Sequence, residues 1–333
     1  MKLRRCKSML ITVLATSMLL SACGKKENAS EEGLKKVTVI LDWTANTNHT
    51  GLYVAKEKGY YKEAGLDVEI VEPAEGSSLQ LLAAGKGQFA VSYQEDLTYA
   101  LTADTKLPVK AIAAIIQHNT SGFTAPASKG IKTVKDFEGK VYGGYGGPSE
   151  SAILETVMKE NGADYSKLQS VVVGDEDFFM ATKNNIDFEW TFEGWTNIEA
   201  KLRGEEVDFI PLRELNENLD YYTPIIASST KVLSEDSDMV KAFMQATTKG
   251  YEYCINQPEE AAEVLVTAVS GIDKTLAVES QKYLAGQYQA EASRWGEMKA
   301  SVWDNYTKFM KDNQLIEQDL PASEAYTNEY LPE

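Results

Sequence analysis

The chain has 333 residues, with 33 Lys and Arg against 50 Asp and Glu, a net charge of −17, and 43% hydrophobic residues. That composition affords a sizeable core and excludes global disorder, and the length fits about two domains. The acidic balance excludes a nucleic-acid binder, which needs a basic footprint, and argues against adsorption to anionic lipid.

The first 22 residues predict a secretory leader. Lys2, Arg4, Arg5 and Lys7 make a positive start, and Met9 to Leu20 is an apolar run too short to span a bilayer. The run ends in Leu20-Ser21-Ala22-Cys23, which resembles a bacterial lipobox. Cleavage before Cys23 and lipidation of that cysteine are therefore expected, with residues 23–34 as a polar tether. Loss of the leader would remove Cys6 and four positive charges and take the net charge to −21. Cys254 would then be the only thiol inside the folded part, and its helical, apolar surroundings predict a buried, inert one.

Past the tether, 36–41 predicts a strand, 50–58 a helix ending at Gly59, and 66–71 a cleanly alternating strand closed by Pro73. A helix over 77–84, a strand over 89–92, a helix from about 95 to 103 and a β-rich run over 109–117 follow. The pattern then restarts. Strands are predicted at 139–142, 169–173, 188–190 and 207–211, with helices at 150–160, 178–184 and 197–202 between them. Past Pro224 the chain reads as helical to its end, over 239–255, 258–269, 273–288 and 300–313. Two β/α units in tandem imply mostly parallel sheets with covering helices, and a ligand cleft beyond the carboxyl ends of the strands.

Three segments after predicted strands carry unusual side chains. Asp42 to Tyr53 gathers Trp43, Asn46, His49 and Tyr53, an assortment suited to a flat polar heterocycle: an indole gives a stacking face, and an amide gives a donor beside an acceptor. Asn48, His49 or Thr50 would equally serve as helix N-caps. Tyr142 to Glu150 is a glycine-rich turn holding Tyr145, Gly146, Gly147, Ser149 and Glu150; it lacks the Gly-Lys-Ser/Thr of a nucleotide loop and can equally be a structural turn. Phe188 to Trp195 sets Glu193 between Trp190 and Trp195, although Phe188, Trp190 and Phe192 would also suit a core. Tyr93 and Gln94, directly after the strand at 89–92, join the candidates.

None of the three segments contains Lys or Arg, and beyond the leader only Arg203, Arg213 and Arg294 occur. Because arginine forks are the usual grip on carboxylate, sulfonate or phosphate, a neutral or weakly cationic ligand is favoured. Catalytic patterns are thin. His49 and His118 are far apart, no metal-ligand spacing or nucleophile elbow is present, and Asp175-Glu176-Asp177 reads as a solvated turn. His118 reads as structural.

The stretch from Leu41 to Tyr53, followed by Gly59-Tyr60-Tyr61 and Gly65-Leu66, resembles the opening of thiamine-precursor solute-binding proteins, which share a superfamily with the pyrimidine-precursor synthases. Gly146-Gly147-Pro148-Ser149-Glu150 and Trp190 to Trp195 extend the likeness. The resemblance implies an α/β, type II periplasmic-binding-protein fold with two lobes and a helical C-terminal region. It implies capture of N-formyl-4-amino-5-aminomethyl-2-methylpyrimidine or a close relative for an ABC permease and ATPase. No catalysis, cofactor or metal is expected, and a monomer is. Trp43 would stack on the ring, Asn46 pair with its amino edge, and His49 and Tyr53 border it. Backbone donors of 146–150 would come from the second lobe, and Glu193 with Trp195 would close the other side. The synthases carry a cysteine-rich iron-binding stretch, which is missing here, so an enzyme is disfavoured. Riboflavin stays open as a ligand, and scarce arginine counts against a sulfonate or taurine. Lobe one is expected over 35–120 and from 228 to the end, lobe two over 121–227, with crossing strands near Ser121 and Ile225 as the hinge.

Overall fold

The computed structural model describes residues 33–73, 77–174 and 176–333. The expected leader, Cys6, Cys23 and nearly all of the tether lie outside the described residues, as does Asp175 of the acidic turn. The ten strands are β1 (Lys35–Ile40), β2 (Leu66–Val71), β3 (Phe89–Ser92), β4 (Val109–Ala114), β5 (Ser121–Pro126), β6 (Val141–Gly144), β7 (Gln169–Val172), β8 (Phe188–Phe192), β9 (Val207–Pro211) and β10 (Ile225–Ser229). They form two five-stranded sheets, ordered β2-β1-β3-β10-β4 and β7-β6-β8-β5-β9.

Each sheet is built the same way. β1 runs parallel to β2 and β3, and β6 runs parallel to β7 and β8. One antiparallel strand is inserted in each, β10 between β3 and β4, and β5 between β8 and β9. These two strands are the ones the chain enters directly after crossing between sheets. Burial explains the sequence patterns. β2 lies at an edge and alternates, with Leu66 and Val68 buried and Asp67 and Glu69 exposed, whereas central β3 is buried at all four positions.

The expectation of helix throughout the chain beyond Pro224 is corrected here. β10 is a strand, buried at every position and bonded on both sides. Its Ile-Ile-Ala-Ser-Ser sequence has no period of its own, so tertiary pairing decides its conformation. The β-rich run expected to reach Gln117 leaves the sheet after Ala114, because the next residues form the crossover.

The outgoing and returning crossovers are bolted together. His118 Nδ1 meets Asp220 Oδ2 at 2.7 Å, and its Nε2 meets Glu291 Oε2 at 2.9 Å. Asn119 receives no slack either: its backbone N–H donates to Asp220 Oδ1 and its amide to the Leu219 carbonyl, both at 2.9 Å. Hydrogen bonding to Asp220, then to Glu291, holds the His118 pKa up at about 9 against the opposing effect of burial. His118 is thus structural.

The first sheet is covered by the C-terminal helices. Helix Ser237–Asn256 crosses helix Thr50–Glu57 at glycines: a Cβ on Gly250 would sit 2.1 Å from the Gly51 carbonyl oxygen, and one on Gly51 would sit 2.4 Å from the Tyr251 ring. This close approach lets Tyr251 donate to the Asn48 carbonyl at 2.8 Å and brace the loop after β1 from below. Cys254, on the same helix, is fully buried, and desolvation pushes its thiol pKa well up, so it is inert.

Candidate functional site

The unusual side chains lie just past the carboxyl ends of four strands: Asp42 and Trp43 after β1, Tyr93 after β3, Tyr145 after β6 and Glu193 after β8. In open α/β sheets this is where ligands bind.

The loop after β1 is organised around buried polar groups. Asn46 caps the turn, its Oδ1 accepting from the Asn48 N–H at 2.9 Å while its Nδ2 donates to the Thr44 carbonyl at 3.1 Å. The Asn46 N–H donates to His49 Nδ1 at 3.1 Å. Since Nδ1 accepts, the ring proton belongs on Nε2, which donates to Asp42 Oδ1 at 2.6 Å. Burial alone would raise the Asp42 pKa; the attraction and hydrogen bond of the His49 ring, with a hydrogen bond from Tyr93, turn the net shift downward. Thr47 Oγ1 lies 2.6 Å from Ser280 Oγ, and Tyr288 donates to the Thr47 carbonyl at 2.6 Å. Trp43 itself is left 44% exposed. Asn46 and His49 therefore do the capping work that competed with a ligand role in the sequence. Tyr53 is half-buried against the core of the first sheet.

The turn after β6 has the same logic with a different residue. Glu150 is buried and its carboxylate points back, accepting from the Tyr142 hydroxyl at 2.7 Å, the Tyr145 N–H at 3.1 Å and the Gly146 N–H at 2.8 Å. The backbone donors of Tyr145 and Gly146, expected to face a ligand, are thus satisfied internally. The glycines make the room. A Cβ on Gly144 would sit 2.7 Å from Glu150 Oε1, and one on Gly147 would sit 2.4 Å from the Tyr145 ring. Ser149 is buried, with its Oγ 3.4 Å from the Tyr145 hydroxyl. Tyr145, like Trp43, is left exposed, at 47%.

After β8 the chain makes a π-helical turn, Glu193–Asn197. Glu193 Oε2 accepts from the Tyr283 hydroxyl at 2.7 Å, and Trp195 is partly buried in the same turn. Trp190 packs 5.7 Å from Phe123 against the core of the second sheet, as the core reading of Phe188 and Trp190 had it. Gln94 is fully buried and structural: its Oε1 accepts from the Tyr222 N–H at 2.9 Å and its Nε2 donates to the Val302 carbonyl at 3.4 Å.

Close to Asp42 is a set of carboxyls and phenols. Glu95 and Asp96 begin helix Gln94–Thr102 directly after Tyr93. Burial, then the nearby Asp42 charge, raises Asp96 to about 6. Burial, then Asp96, pushes Glu95 well above the carboxylate range. Burial, then the Glu95 charge, pushes the Tyr145 phenol up. Tyr93 sits between Asp42, Glu95 and Asp96, and burial foremost pushes its phenol well up. No lysine or arginine is among the groups acting on Asp96 or Glu95. A groove of about 610 Å³ lies elsewhere, beside β7, lined by Gln169, Val171 and Val173, and holds none of these residues. Among the described residues, no cluster of three or more His, Cys, Asp or Glu is arranged to hold a metal, and no helix is long and apolar enough to cross a membrane.

A family described as NMT1/THI5 like matches residues 46–261. The chain belongs to this family. This NMT1/THI5-like chain is 27% identical to a formylaminopyrimidine-binding protein of Halalkalibacterium halodurans, over 96% of its own length and 98% of the relative's. It is 25% identical to a 4-amino-5-hydroxymethyl-2-methylpyrimidine phosphate synthase of Legionella pneumophila, over 90% and 93% of the two chains. Among solved structures, it resembles the alkanesulfonate-binding protein of Xanthomonas axonopodis pv. citri with a TM-score of 0.68 at 14% identity, covering 87% of this chain and 98% of that one. The NMT1/THI5-like chain has the type II periplasmic-binding-protein fold, with two α/β lobes.

Reading the sequence missed Glu95, Asp96, Tyr99, Tyr221, Tyr283 and Tyr306 as neighbours of the cleft. Two acids in the first turn of a helix are the ordinary complement to its dipole, so Glu95-Asp96 sends no distinctive signal. Tyr283 and Tyr306 arrive from C-terminal helices far along the chain, and only the fold brings them here. The single available cue was position, since Glu95 and Asp96 lie within four residues of the end of a predicted strand.

Proposed function

We propose that this NMT1/THI5-like protein is an extracytoplasmic solute-binding protein of an ABC importer that captures a thiamine pyrimidine precursor, N-formyl-4-amino-5-aminomethyl-2-methylpyrimidine or a close relative. The observation that carries the reading is the pair of exposed aromatic rings, Trp43 and Tyr145, each just past a strand end, one in each sheet. Such a site sandwiches a planar ring, and it repels a fully anionic ligand such as a sulfonate. Stacking would add about 0.5–1.5 kcal/mol per aromatic pair beyond area burial.

Lobe one comprises about 35–120 and 228–333, and lobe two about 121–227. Ligand biases an open and closed equilibrium of the lobes towards closed, and the closed form is what permease and ATPase partners read. The monomer is the working unit, tethered to the extracytoplasmic face of the cell membrane through lipid on Cys23. In this reading the protein binds rather than catalyses, and the Cys254 thiol, buried with its pKa pushed up, is in keeping with that.

Titration calorimetry with the formylated pyrimidine, riboflavin and an alkanesulfonate tests the reading. Pyrimidine binding that Trp43→Ala weakens tenfold or more, with melting unchanged, supports it. Binding of riboflavin or sulfonate in preference to pyrimidine, or turnover of the pyrimidine into product, removes it. Cys23→Ser should move the protein from membrane to soluble fractions; retention on the membrane would refute the anchor.

A further inference from the structure

Helix Ala300–Asp312 buries one stripe, Trp303, Tyr306, Thr307 and Met310, at the i, i+3, i+4, i+7 spacing of a helix lying on a single core. The stripe is nevertheless divided between two cores. Trp303 belongs to the cluster of Ile40, Leu97, Ala111 and Ile225 at the first sheet. Tyr306, Phe309 and Met310 belong to the cluster of Phe123, Tyr142 and Phe188 at the second. Only one helical turn, about 5 Å of axis, separates the two memberships. We propose that this helix is a third member of the hinge: a pivot, fixed to the first lobe and seated as a knob in the second, that keeps the lobes together at this edge and limits how far the cleft opens. The pivot rests on the lobe motion of the reading above and not on the identity of the ligand.

The returning crossover divides at the same place. Tyr221 and Tyr222 are neighbours in the chain, yet Tyr221 lies in the second cluster and Tyr222 in the first. Each meets the helix residue of its own side. The Tyr221 ring is 4.5 Å from that of Tyr306, and the Tyr222 ring is 6.4 Å from that of Trp303. Helix and crossover pass through one seam, so a lobe rotation about the crossover also turns about the Trp303–Tyr306 segment.

The two sides of the seam are held differently. On the first side the bonds are directional. Just before the helix, the Lys299 N–H donates to the Tyr222 hydroxyl at 2.8 Å, and Met298 exchanges two hydrogen bonds with the Asn328 side chain, at 3.0 and 2.8 Å. Trp303 stacks on Tyr326, 5.8 Å away, and the Gln94 amide donates to the Val302 carbonyl. On the second side the hold is apolar. Among the described residues, no hydrogen bond runs from residues 303–312 to residues 121–221. The Tyr306 and Thr307 hydroxyls are buried without a hydrogen-bond partner. Buried polar groups are normally paired, and such pairs fix an orientation. Packing without them still resists separation, because it keeps Phe309 and Met310 out of water, but it is non-directional and leaves rotation free.

The test joins small-angle scattering and thermal melting to calorimetry with the formylated pyrimidine. Phe309→Ala and Met310→Ala shrink the knob, and Ile153→Ala cuts a comparably buried side chain elsewhere in the second core. Without ligand, both knob variants should have a larger radius of gyration than the wild type. Saturating ligand should return the radius to the wild-type value, and affinity should fall about threefold as the closed form is depopulated. Ile153→Ala should lower the melting temperature and leave radius and affinity as they were. A ligand-free radius that stays at the wild-type value in both knob variants, or that grows equally in Ile153→Ala, overturns the pivot and leaves the pyrimidine reading standing. A wild type that binds no pyrimidine removes that reading, and the ligand-free radii then decide the pivot by themselves.

Discussion

The loop after β1 and the turn after β6 solve one problem in two ways. Both join the carboxyl end of a strand to a helix, and both leave an aromatic ring exposed in the cleft. The first holds itself with a relay in which the Asn46 backbone N–H donates to the His49 ring and the ring donates to Asp42. The second uses one carboxylate, Glu150, gathering three donors. The lesson is that polar residues crowded at a strand end first satisfy their own backbone, and what they support is the ring they leave outside.

Removing the central acceptor of the first loop should do the most damage. Asp42→Ala strands the buried His49 N–H and should cost about 3 kcal/mol of unfolding free energy, read by denaturant titration. The Asp42 pKa is lowered in the fold, so its contribution is fully present above the ordinary carboxylate range near pH 4 and is lost as pH falls through the depressed value. The acid limb of the wild-type melting profile should therefore shift in Asp42→Asn. If it does not, the His49 pair is not what holds the loop. In the second turn Glu150→Gln keeps one acceptor oxygen and should cost less, about 1–2 kcal/mol. An equal or larger loss than Asp42→Ala would reverse the ranking of the two devices. The smallest effect belongs to Tyr145→Phe. Its hydroxyl reaches only Ser149, at 3.4 Å, so stability should change by less than about 0.5 kcal/mol while ring stacking persists. A larger drop in melting temperature would mean the phenol supports the turn rather than resting on it.

How much of this the sequence disclosed depended on whether local pattern and final environment agreed. β2, β3 and β9 were legible to the residue, because edge alternation and short apolar runs match their burial. β10 showed only as the crossing strand that the resemblance implied near Ile225; its own residues carry no period, and its character comes from neighbours on both sides that are remote in the chain. Trp43 was visible as an indole in a polar loop, yet the roles of Asn46 and His49 turned on whether their hydrogen bonds closed locally, which composition cannot decide. Asp96 was concealed by its ordinariness at a helix start, where an acid complements the dipole; its raised pKa, caused by burial and then by the Asp42 charge, is supplied only by the folded chain.

One serine links the loop after β1 to the turn after β8. Ser280 donates to the Gly194 carbonyl and lies beside the Thr47 hydroxyl. A hydroxyl has a single proton to give, so once Ser280 commits it to Gly194, Thr47 must be the donor in the other contact. The order of donation is thereby fixed along a short relay from the base of the Trp43 loop, through helix Lys274–Ala285, to the π-helical turn of the opposite lobe. A shift of the Gly194 carbonyl would thus be felt at the Thr47 hydroxyl.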